Sequence, residues 1–278
     1  MKSLAVFVHY GESKKFPNYV EYYIKQLVEY FDEVIVTYNE RPYVYKVPTI
    51  EGVKYLSIIN EGYDFGCFYK VLKDLNTTKY HTIGFFNDSN VVFSSIGKVL
   101  EWGFKSNLDM WGITDSHECP PGVNSRKSYH IQSHFIVFGI GAIAKLNDFF
   151  KHIAFERFFD IKDNRILRLK IISNIEIGMS QYMLDLGLRL GSFFKSESFI
   201  PSVSKRDYHT TNVHIWLWKE LILNGYPFIK KKLVVNGFDP KQDPPNTLPN
   251  FNNWQTVVMK FCNEEEFNKI FSELIKRK

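Results

Sequence analysis

Apolar residues in this chain follow two patterns that alternate along the sequence. The first is a short, almost wholly apolar run rich in β-branched and aromatic side chains, which is typical of a strand buried on both faces. Such runs predict six β-strands, at residues 4–8, 34–38, 55–59, 82–86, 110–114 and 135–138.

The second pattern is the recurrence of apolar residues every three or four positions, which predicts helices between and after the strands. Pro17 is placed to open the first helix, and Ser94 is expected to cap the third. The predicted helices cover residues 18–31, 68–75, 96–100, 176–190 and 215–223.

Strands that alternate with helices indicate βαβ units and a mostly parallel sheet. The sequence therefore predicts an α/β fold with a mostly parallel central sheet and flanking helices. Its 278 residues suffice for one large domain of this kind. Residues 239–249 hold four prolines and are predicted to form a linker.

A last helix is predicted after this linker. Asn263 suits the N-cap position, and the three glutamates at 264–266 favour the helix dipole. The apolar face of this helix is expected to pack on the domain, and a helix that binds a partner protein is the alternative. That face consists of Phe267, Ile270, Phe271, Leu274 and Ile275.

Charge and cysteine content exclude several functional classes. The net charge of +5 is mild and scattered, which argues against a nucleic-acid partner, and the lysine run at 230–232 is typical of a solvated face. Cys67, Cys119 and Cys262 form no CxxC pair, so neither a zinc site nor a disulfide framework is predicted.

The same features predict a cytoplasmic protein. A reducing compartment fits the cysteines. The longest uncharged apolar stretch, residues 135–144, is far shorter than the ~20 residues of a membrane helix. Any membrane contact is therefore expected to be peripheral, at the inner face of the membrane.

Polar side chains follow five of the predicted strands. In an open parallel sheet such residues share the edge outside the carboxyl ends of the strands, where ligands bind. The sequence therefore predicts a site at this edge. Its candidate residues include His9, Asn39, Asn60, Asp64, Asn87, Asp88, Asn90 and Asp115.

Several ligand motifs are missing from the sequence. The GxGxxG dinucleotide fingerprint, the P-loop, HExxH and GxSxG do not occur. What remains is the turn at residues 87–90. It can hold a divalent cation against a diphosphate, or it can be a plain Asx turn that leads into the next element.

Six segments of the chain, taken together, resemble the rhamnan synthesis protein F family. Their order and spacing match from about residue 4 to about residue 235, and the last forty or so residues lie outside the resemblance. The segments are NEGYDFG at 60–66, NDS at 87–89, DMWGITD at 109–115, HIQSHF at 130–135, EIGMS at 176–180 and GYPFIK at 225–230.

This resemblance implies a glycosyltransferase with the glycosyltransferase A fold. The expected reaction transfers a deoxyhexose, L-rhamnose from dTDP-rhamnose, to a growing surface glycan or lipid-linked glycan, with inversion. The domain would span residues 1–238, with a nucleotide-binding half to about 116 and an acceptor half from 117. Residues 239–278 would form the linker and a packed helix.

In that fold an Asp-x-Asp motif binds Mg²⁺ or Mn²⁺, and Asp88 would be its counterpart here. The second acid of the motif is replaced by Asn90, whose neutral amide is a weaker ligand for a hard cation. The sequence therefore leaves the metal requirement open.

The resemblance also suggests roles for individual residues. Glu176, expected at the start of a late helix, is the first candidate for the base that deprotonates the acceptor, and Asp115 is the second. Asn60 and Asp64 are expected to hold the nucleoside, with Gly62 and Gly66 allowing close backbone approach. Candidate acceptor contacts are Trp111, His130 and Gln132; candidate diphosphate partners are Lys205, Arg206 and Lys230.

Two other functions stay open at this point. A sugar-binding module without catalysis would keep the aromatic residues but need no base. A sugar nucleotidyltransferase should carry a glycine-rich phosphate loop after the first strand, and residues 9–15 hold a single glycine, Gly11.

Overall fold

The computed structural model describes residues 1–11, 13–200, 209–236 and 251–275. Within these residues, eight strands form the central sheet, and two short strands, β5 and β10, pair separately. The strands are β1 (Lys2–His9), β2 (Glu33–Asn39), β3 (Val53–Ile58), β4 (Tyr80–Asn87), β5 (Asn90–Val92), β6 (Met110–Ser116), β7 (His130–Ile131), β8 (Phe135–Gly139), β9 (Leu190–Phe194) and β10 (Phe228–Lys230).

The sheet order is β3-β2-β1-β4-β8-β6-β7, with β9 beside β6. Strands β1 to β4 are mutually parallel, β8 runs antiparallel between β4 and β6, and β9 is parallel to β6. The predicted fold class, α/β with a mostly parallel central sheet and flanking helices, is confirmed.

Helices cover both faces of this sheet. They are α1 (Asn18–Leu27), α2 (Tyr63–Lys73), α3 (Gly97–Lys105), α4 (Ile140–His152), α5 (Asn164–Lys170), α6 (Gly178–Asp185), α7 (Val213–Trp216), α8 (Trp218–Leu223), α9 (Lys231–Asn236), α10 (Trp254–Val258) and α11 (Glu264–Ile275). A π-helical segment, Ile171–Ile177, joins α5 to α6. Among the helices of the described ranges, none combines the length and the hydrophobicity of a membrane-spanning segment.

The two faces of the sheet bury separate apolar clusters. Ala5 and Phe7 of β1 pack with α1, α3 and the C-terminal helices, whereas Leu4, Val6 and Val8 pack with α2, α4 and α6. Both faces of β1 are therefore covered, which explains why its sequence is a continuous apolar run.

The predicted sixth strand is present as β8, but it reverses the direction of the sheet. The connection from β6 to β8 contains β7 and a short 3-10 turn at Ser125–Lys127 rather than a crossover helix. The chain instead turns back at β7, which pairs antiparallel with β6, and β8 continues in that direction between β6 and β4.

Three predictions for the helices were wrong. The predicted helix at 176–190 begins much earlier, at Asn164, and Leu190 already belongs to β9. Ser94 makes no capping bond, since the third helix begins after Ile96. The helix predicted at 215–223 is two helices, interrupted at Leu217.

The C-terminal helix α11 packs against α1 on one face of the sheet. Asn263 Oδ1 accepts a hydrogen bond from the Glu266 amide at 2.9 Å, and Glu266 Oε2 accepts one from the Asn263 amide at 3.3 Å. This reciprocal pair is a capping box. The apolar face of α11 is buried with Trp254 against α1, so α11 forms part of one covering layer. The predicted proline-rich linker, 239–249, lies outside the described residues.

Candidate active site at the carboxyl edge of the sheet

Five strands of the sheet bring polar residues to one edge. β1, β2, β3, β4 and β6 all point the same way, so the residues at their carboxyl ends gather on one side of the molecule. Next to this edge, β10 pairs with β5, and the Lys231 amide donates to the Ser89 carbonyl at 3.0 Å. This pairing carries the lysine run to the turn after β4.

Asp88 is the most highly connected side chain of this edge. Its Oδ2 accepts hydrogen bonds from His9 Nδ1 at 2.9 Å, from the Tyr19 hydroxyl at 2.9 Å and from Lys231 Nζ at 2.8 Å. The Asp88 and His9 side chains are almost fully buried, whereas Lys231 keeps a quarter of its side chain in solvent. Burial alone would raise the pKa of Asp88, but Lys231 and His9 outweigh it and hold the pKa well below its usual range.

A chain of hydrogen bonds connects Asp64 to Glu176. Asn87 Nδ2 donates to Asp64 Oδ2 at 2.7 Å and lies 3.5 Å from the Ser133 carbonyl. The Ser133 amide donates to Glu176 Oε1 at 3.1 Å. Asn87, the last residue of β4, and Ser133, shortly after β7, therefore hold both carboxylates on the same side of the sheet.

The pKa of the Asp64 carboxyl group is shifted in the opposite direction from that of Asp88. Burial raises the pKa of Asp64 to about 7, the negative charge of Asp88 adds to the rise, and Lys231 opposes it. Two neighbouring carboxyl groups whose pKa values are pushed apart suit different chemical roles. The surroundings of Asp88 favour its ionised form, whereas those of Asp64 favour its protonated form.

Lys230 lies among three carboxylates. Burial lowers the pKa of its ammonium group, and Glu176, Glu118 and Asp64 act against that shift. The sequence did not single out Glu118, which follows β6. Burial raises the pKa of Glu118, and its Oε2 accepts a hydrogen bond from Asn212 Nδ2 at 2.8 Å.

A cavity of about 320 Å³ opens beside the Asp88 cluster. It lies between the loop after β1 and the start of α9. The residues that line it include His9, Tyr10, Ser13, Tyr19, Ser89 and the lysines at 230–232. The lysine run is therefore not the solvated face that was predicted, since Lys231 bridges Asp88 and this cavity.

An arginine and a tyrosine lie beside the Asp88 cluster, on the side of β2. The Arg41 guanidinium stacks over the Tyr45 ring at 4.0 Å, and the Tyr45 hydroxyl lies 3.4 Å from His9 Nε2. Asn39 Oδ1 accepts a hydrogen bond from the Gly11 amide at 3.4 Å. Arg41 and Tyr45 carry no motif, so the sequence offered no signal for them.

Of the two polar residues predicted to bind the nucleoside from the loop after β3, one lies in the cluster and the other does not. Asp64 joins the cluster, but Asn60 is exposed and contacts only Cys67 Sγ, at 4.0 Å, among the bonds described. Gly62 adopts a left-handed φ of 73° at the start of α2, and a Cβ on Gly66 would lie 1.6 Å from the Glu61 carbonyl. These glycines are required by the tight strand-to-helix turn itself.

Asp115 does not join the cluster. Its Oδ2 accepts from the Ser192 hydroxyl at 2.8 Å, and its Oδ1 accepts from the Ser196 amide at 2.7 Å. Both oxygens are therefore occupied in joining β6 to β9. This arrangement assigns Asp115 a structural role rather than that of a second base.

The three predicted acceptor contacts are buried. Trp111 is a core residue, 3% exposed, that packs against Trp102 and Phe104. His130 and Gln132 lie on or just after β7, where His130 Nδ1 contacts the Ser128 carbonyl at 2.7 Å. Trp111 therefore offers no open stacking surface, which corrects that prediction. The candidates Lys205 and Arg206 lie outside the described residues.

Glu176 lies in the middle of a helical segment and not at its start. The segment Ile171–Ile177 is π-helical, and the carboxylate points towards the Ser133 amide. π-Helical turns are frequent at functional sites. The missed signal was the four-residue spacing of Leu167, Ile171, Ile175, Met179 and Met183, all of them buried.

The fold is that of a mixed α/β protein, with a charged cluster and a cavity outside the carboxyl ends of its strands. The family model for Rhamnan synthesis protein F matches residues 53–270, and the chain belongs to that family. The match extends through α10 and most of α11. The expectation that the last forty residues lie outside the resemblance was therefore wrong.

Two curated relatives are both named Virulence protein VirA, from Vibrio anguillarum. Each is 26% identical over 245 residues, which cover 78% of this chain and 70% of that protein. Among solved structures, a glucose-1-phosphate thymidylyltransferase from Bacillus anthracis, in complex with sucrose, aligns with 69% of this chain and 86% of its own. Its identity is 7% and its TM-score is 0.39.

Proposed function

We propose that the protein is a glycosyltransferase that moves a deoxyhexose, L-rhamnose from dTDP-rhamnose, to a growing surface polysaccharide. Family membership supports a place in polysaccharide synthesis. The observation that carries the proposal is the cluster at the sheet edge. There, carboxylates of opposite pKa shift adjoin lysines and a cavity large enough for a diphosphate group.

In this reaction the acceptor hydroxyl oxygen attacks the anomeric carbon of the sugar. The bond from that carbon to the diphosphate oxygen breaks, and its electron pair leaves with the nucleoside diphosphate. The hydroxyl proton passes to a carboxylate. Attack from the face opposite the leaving group inverts the configuration.

Glu176 is the proposed base. Its carboxylate is oriented by the Ser133 amide and lies close enough to Lys230 to influence its pKa. Asp64, His9 and Asn39 are proposed to line the donor side, as predicted, with Glu118 as an added neighbour. Because His130 and Gln132 are buried, their proposed contribution to acceptor binding is to position the residues after β7.

The proposed acceptor is a glycan or a lipid-linked glycan, with peripheral contact at the inner face of the membrane. Helix α5 supports such contact. Ile166 and Leu169 are 48% and 44% exposed there, beside Arg165, Arg168 and Lys170. Exposed apolar and basic side chains on one short helix suit an anionic lipid surface.

The proposal is tested by release of dTDP from dTDP-rhamnose in the presence of glycan acceptors. We expect turnover by the wild type and a kcat that is lower by ~100-fold or more in Glu176→Gln, the usual contribution of a general base to the rate. Glu101→Gln, on the exposed face of α3, is the matched control and should keep full activity.

Other outcomes identify the alternatives. Donor binding without turnover would indicate a sugar-binding module, and pyrophosphate release from dTTP and a sugar phosphate would indicate a nucleotidyltransferase. Full activity in Glu176→Gln, with intact folding, would remove Glu176 as the base.

A further inference from the structure

A cation of the protein itself, the ammonium group of Lys231 at the start of α9, already lies against the turn after β4. Lys231 Nζ lies 2.8 Å from Asp88 Oδ2, and the same oxygen accepts from His9 and Tyr19. A carboxylate oxygen that binds a metal must offer a lone pair to it, and three donors already surround this one. Lys231 thus lies where a cation bound to Asp88 would be expected.

The other possible metal ligands near Asp88 do not make up for the carboxylate oxygen that Lys231, His9 and Tyr19 already occupy. The second position of the acidic motif is Asn90, which offers only a neutral amide oxygen, buried and without a hydrogen-bond partner. Within the described ranges, no group of three or more His, Cys, Asp or Glu side chains is arranged to hold a metal ion. When bound, a divalent cation would neutralise the donor's diphosphate, but this donor set fits an ammonium group better than Mg²⁺ or Mn²⁺.

Lys231 is also positioned to meet an anion. Lys231 lines the cavity of about 320 Å³ together with Ser89 and residues of the loop after β1. Its backbone is fixed by the hydrogen bond to Ser89, and its side chain is fixed by Asp88. A lysine held in this way meets a phosphate oxygen without first having to lose side-chain freedom.

We propose that Lys231, aimed by Asp88, binds the diphosphate of the donor and supplies the positive charge that a divalent cation would otherwise supply. The inference rests on the proposed transferase function for the identity of the donor. It extends that function by assigning the charge-neutralising group and by predicting that donor binding needs no metal.

The test is titration calorimetry of the full chain with dTDP and, separately, with inorganic pyrophosphate. Each anion is titrated in EDTA and in excess Mg²⁺ or Mn²⁺. We expect Kd values in EDTA within about 2-fold of those with metal, a loss of about 10-fold or more in Lys231→Gln, and retention of most affinity in Lys231→Arg. Lys98→Gln, an exposed lysine on α3, is the matched control and should bind as the wild type does.

Lys231→Gln leaves Asp88 buried without its cationic partner and could fail to fold. The double variant Asp88→Asn/Lys231→Gln removes both charges together, so it should fold and still lose binding. Binding that requires added metal, wild-type affinity in the folded double variant, or no binding of either anion would each overturn the inference.

Failure of the transferase proposal gives a different pattern. If pyrophosphate binds through Lys231 and dTDP binds no better, the assigned donor is wrong and the lysine site stands. If dTDP binds without metal but no sugar is transferred, the enzyme assignment fails and the anion site stands.

Discussion

Asp88 and Asp115 occupy equivalent positions in the sheet but have different partners. Each lies at the carboxyl end of a strand, β4 or β6, and each is 5% exposed. Asp88 is bound by side chains from three separate elements and adjoins a cavity. Asp115 is bound by Ser192 and Ser196, at and just after the neighbouring strand β9.

This difference shows what a strand-end position does and does not determine. Parallel strands bring their terminal side chains to one edge, and that is the step that a sequence can predict. Whether a carboxylate there serves a ligand depends on its partners. Asp88 is paired with a lysine that also lines the cavity, whereas Asp115 is satisfied by neutral groups of the fold.

The largest expected effect comes from Asp88→Asn. Loss of the carboxylate leaves Lys231 partly buried without its counter-ion, which should lower the free energy of unfolding by about 3 kcal/mol, the low end for breaking a buried pair. The donor KM should also rise about 10-fold because Lys231 loses its orientation. Urea unfolding and steady-state kinetics measure the two effects. An unchanged donor KM would place the donor away from Asp88.

Asp115→Asn should affect stability alone. An amide replaces one accepting oxygen with a donor group that faces the Ser192 hydroxyl or the Ser196 amide, at a cost of about 2 kcal/mol. The thermal midpoint should fall, while donor KM and the kcat per folded molecule stay at wild-type values. A specific loss of kcat would make Asp115 a candidate base again. It would also show that Asp115 and Asp88 do not differ in the way described.

The smallest effect concerns Asp64 and its dependence on pH. Because the pKa of Asp64 is raised in the fold to about 7 from an ordinary value of 3.8, the folded state holds this proton more tightly than the unfolded chain does. The stability that this group contributes is therefore present at low pH and is lost as the pH rises from about 4 to about 7.

Asp64→Asn removes this dependence. Relative to the wild type, the variant should gain about 1–2 kcal/mol between pH 5 and pH 8, a value reduced because part of the Asp64 side chain remains in contact with solvent. Unfolding free energies measured across that range test the sign. Glu61→Gln, an exposed neighbour on the same loop, should show no such trend.

The sequence predicted the sheet and the site edge because both follow from local pattern. The run from Leu4 to Val8 is apolar at every position, as a strand covered on both faces must be. Asn87 and Asp88 follow such a run directly. The reversal of β8 and the presence of β9 depend on which strands pair across long sequence distances, and no local pattern encodes that choice.

The position of Lys231 beside Asp88 could not be predicted for a similar reason. Three consecutive lysines are typical of a solvated face, and only the pairing of Lys230 with Asn90 across β10 and β5 turns the run towards Asp88. For Trp111 the error was in the other direction, since a residue predicted to line the site is buried in the core. Its aromatic ring suggested a stacking surface, but Trp102 and Phe104 of α3 cover it.

A crystal structure of the protein with bound dTDP would show directly whether Lys231 binds the diphosphate of the donor. We predict density for the diphosphate in the cavity beside Lys231, within hydrogen-bond distance of Nζ, and the nucleoside on the β1 and β2 side near Asn39. Density in the second cavity, of about 520 Å³, along β3 and α2 beside Leu56 and Lys70 would instead place the donor away from Lys231 and Asp88.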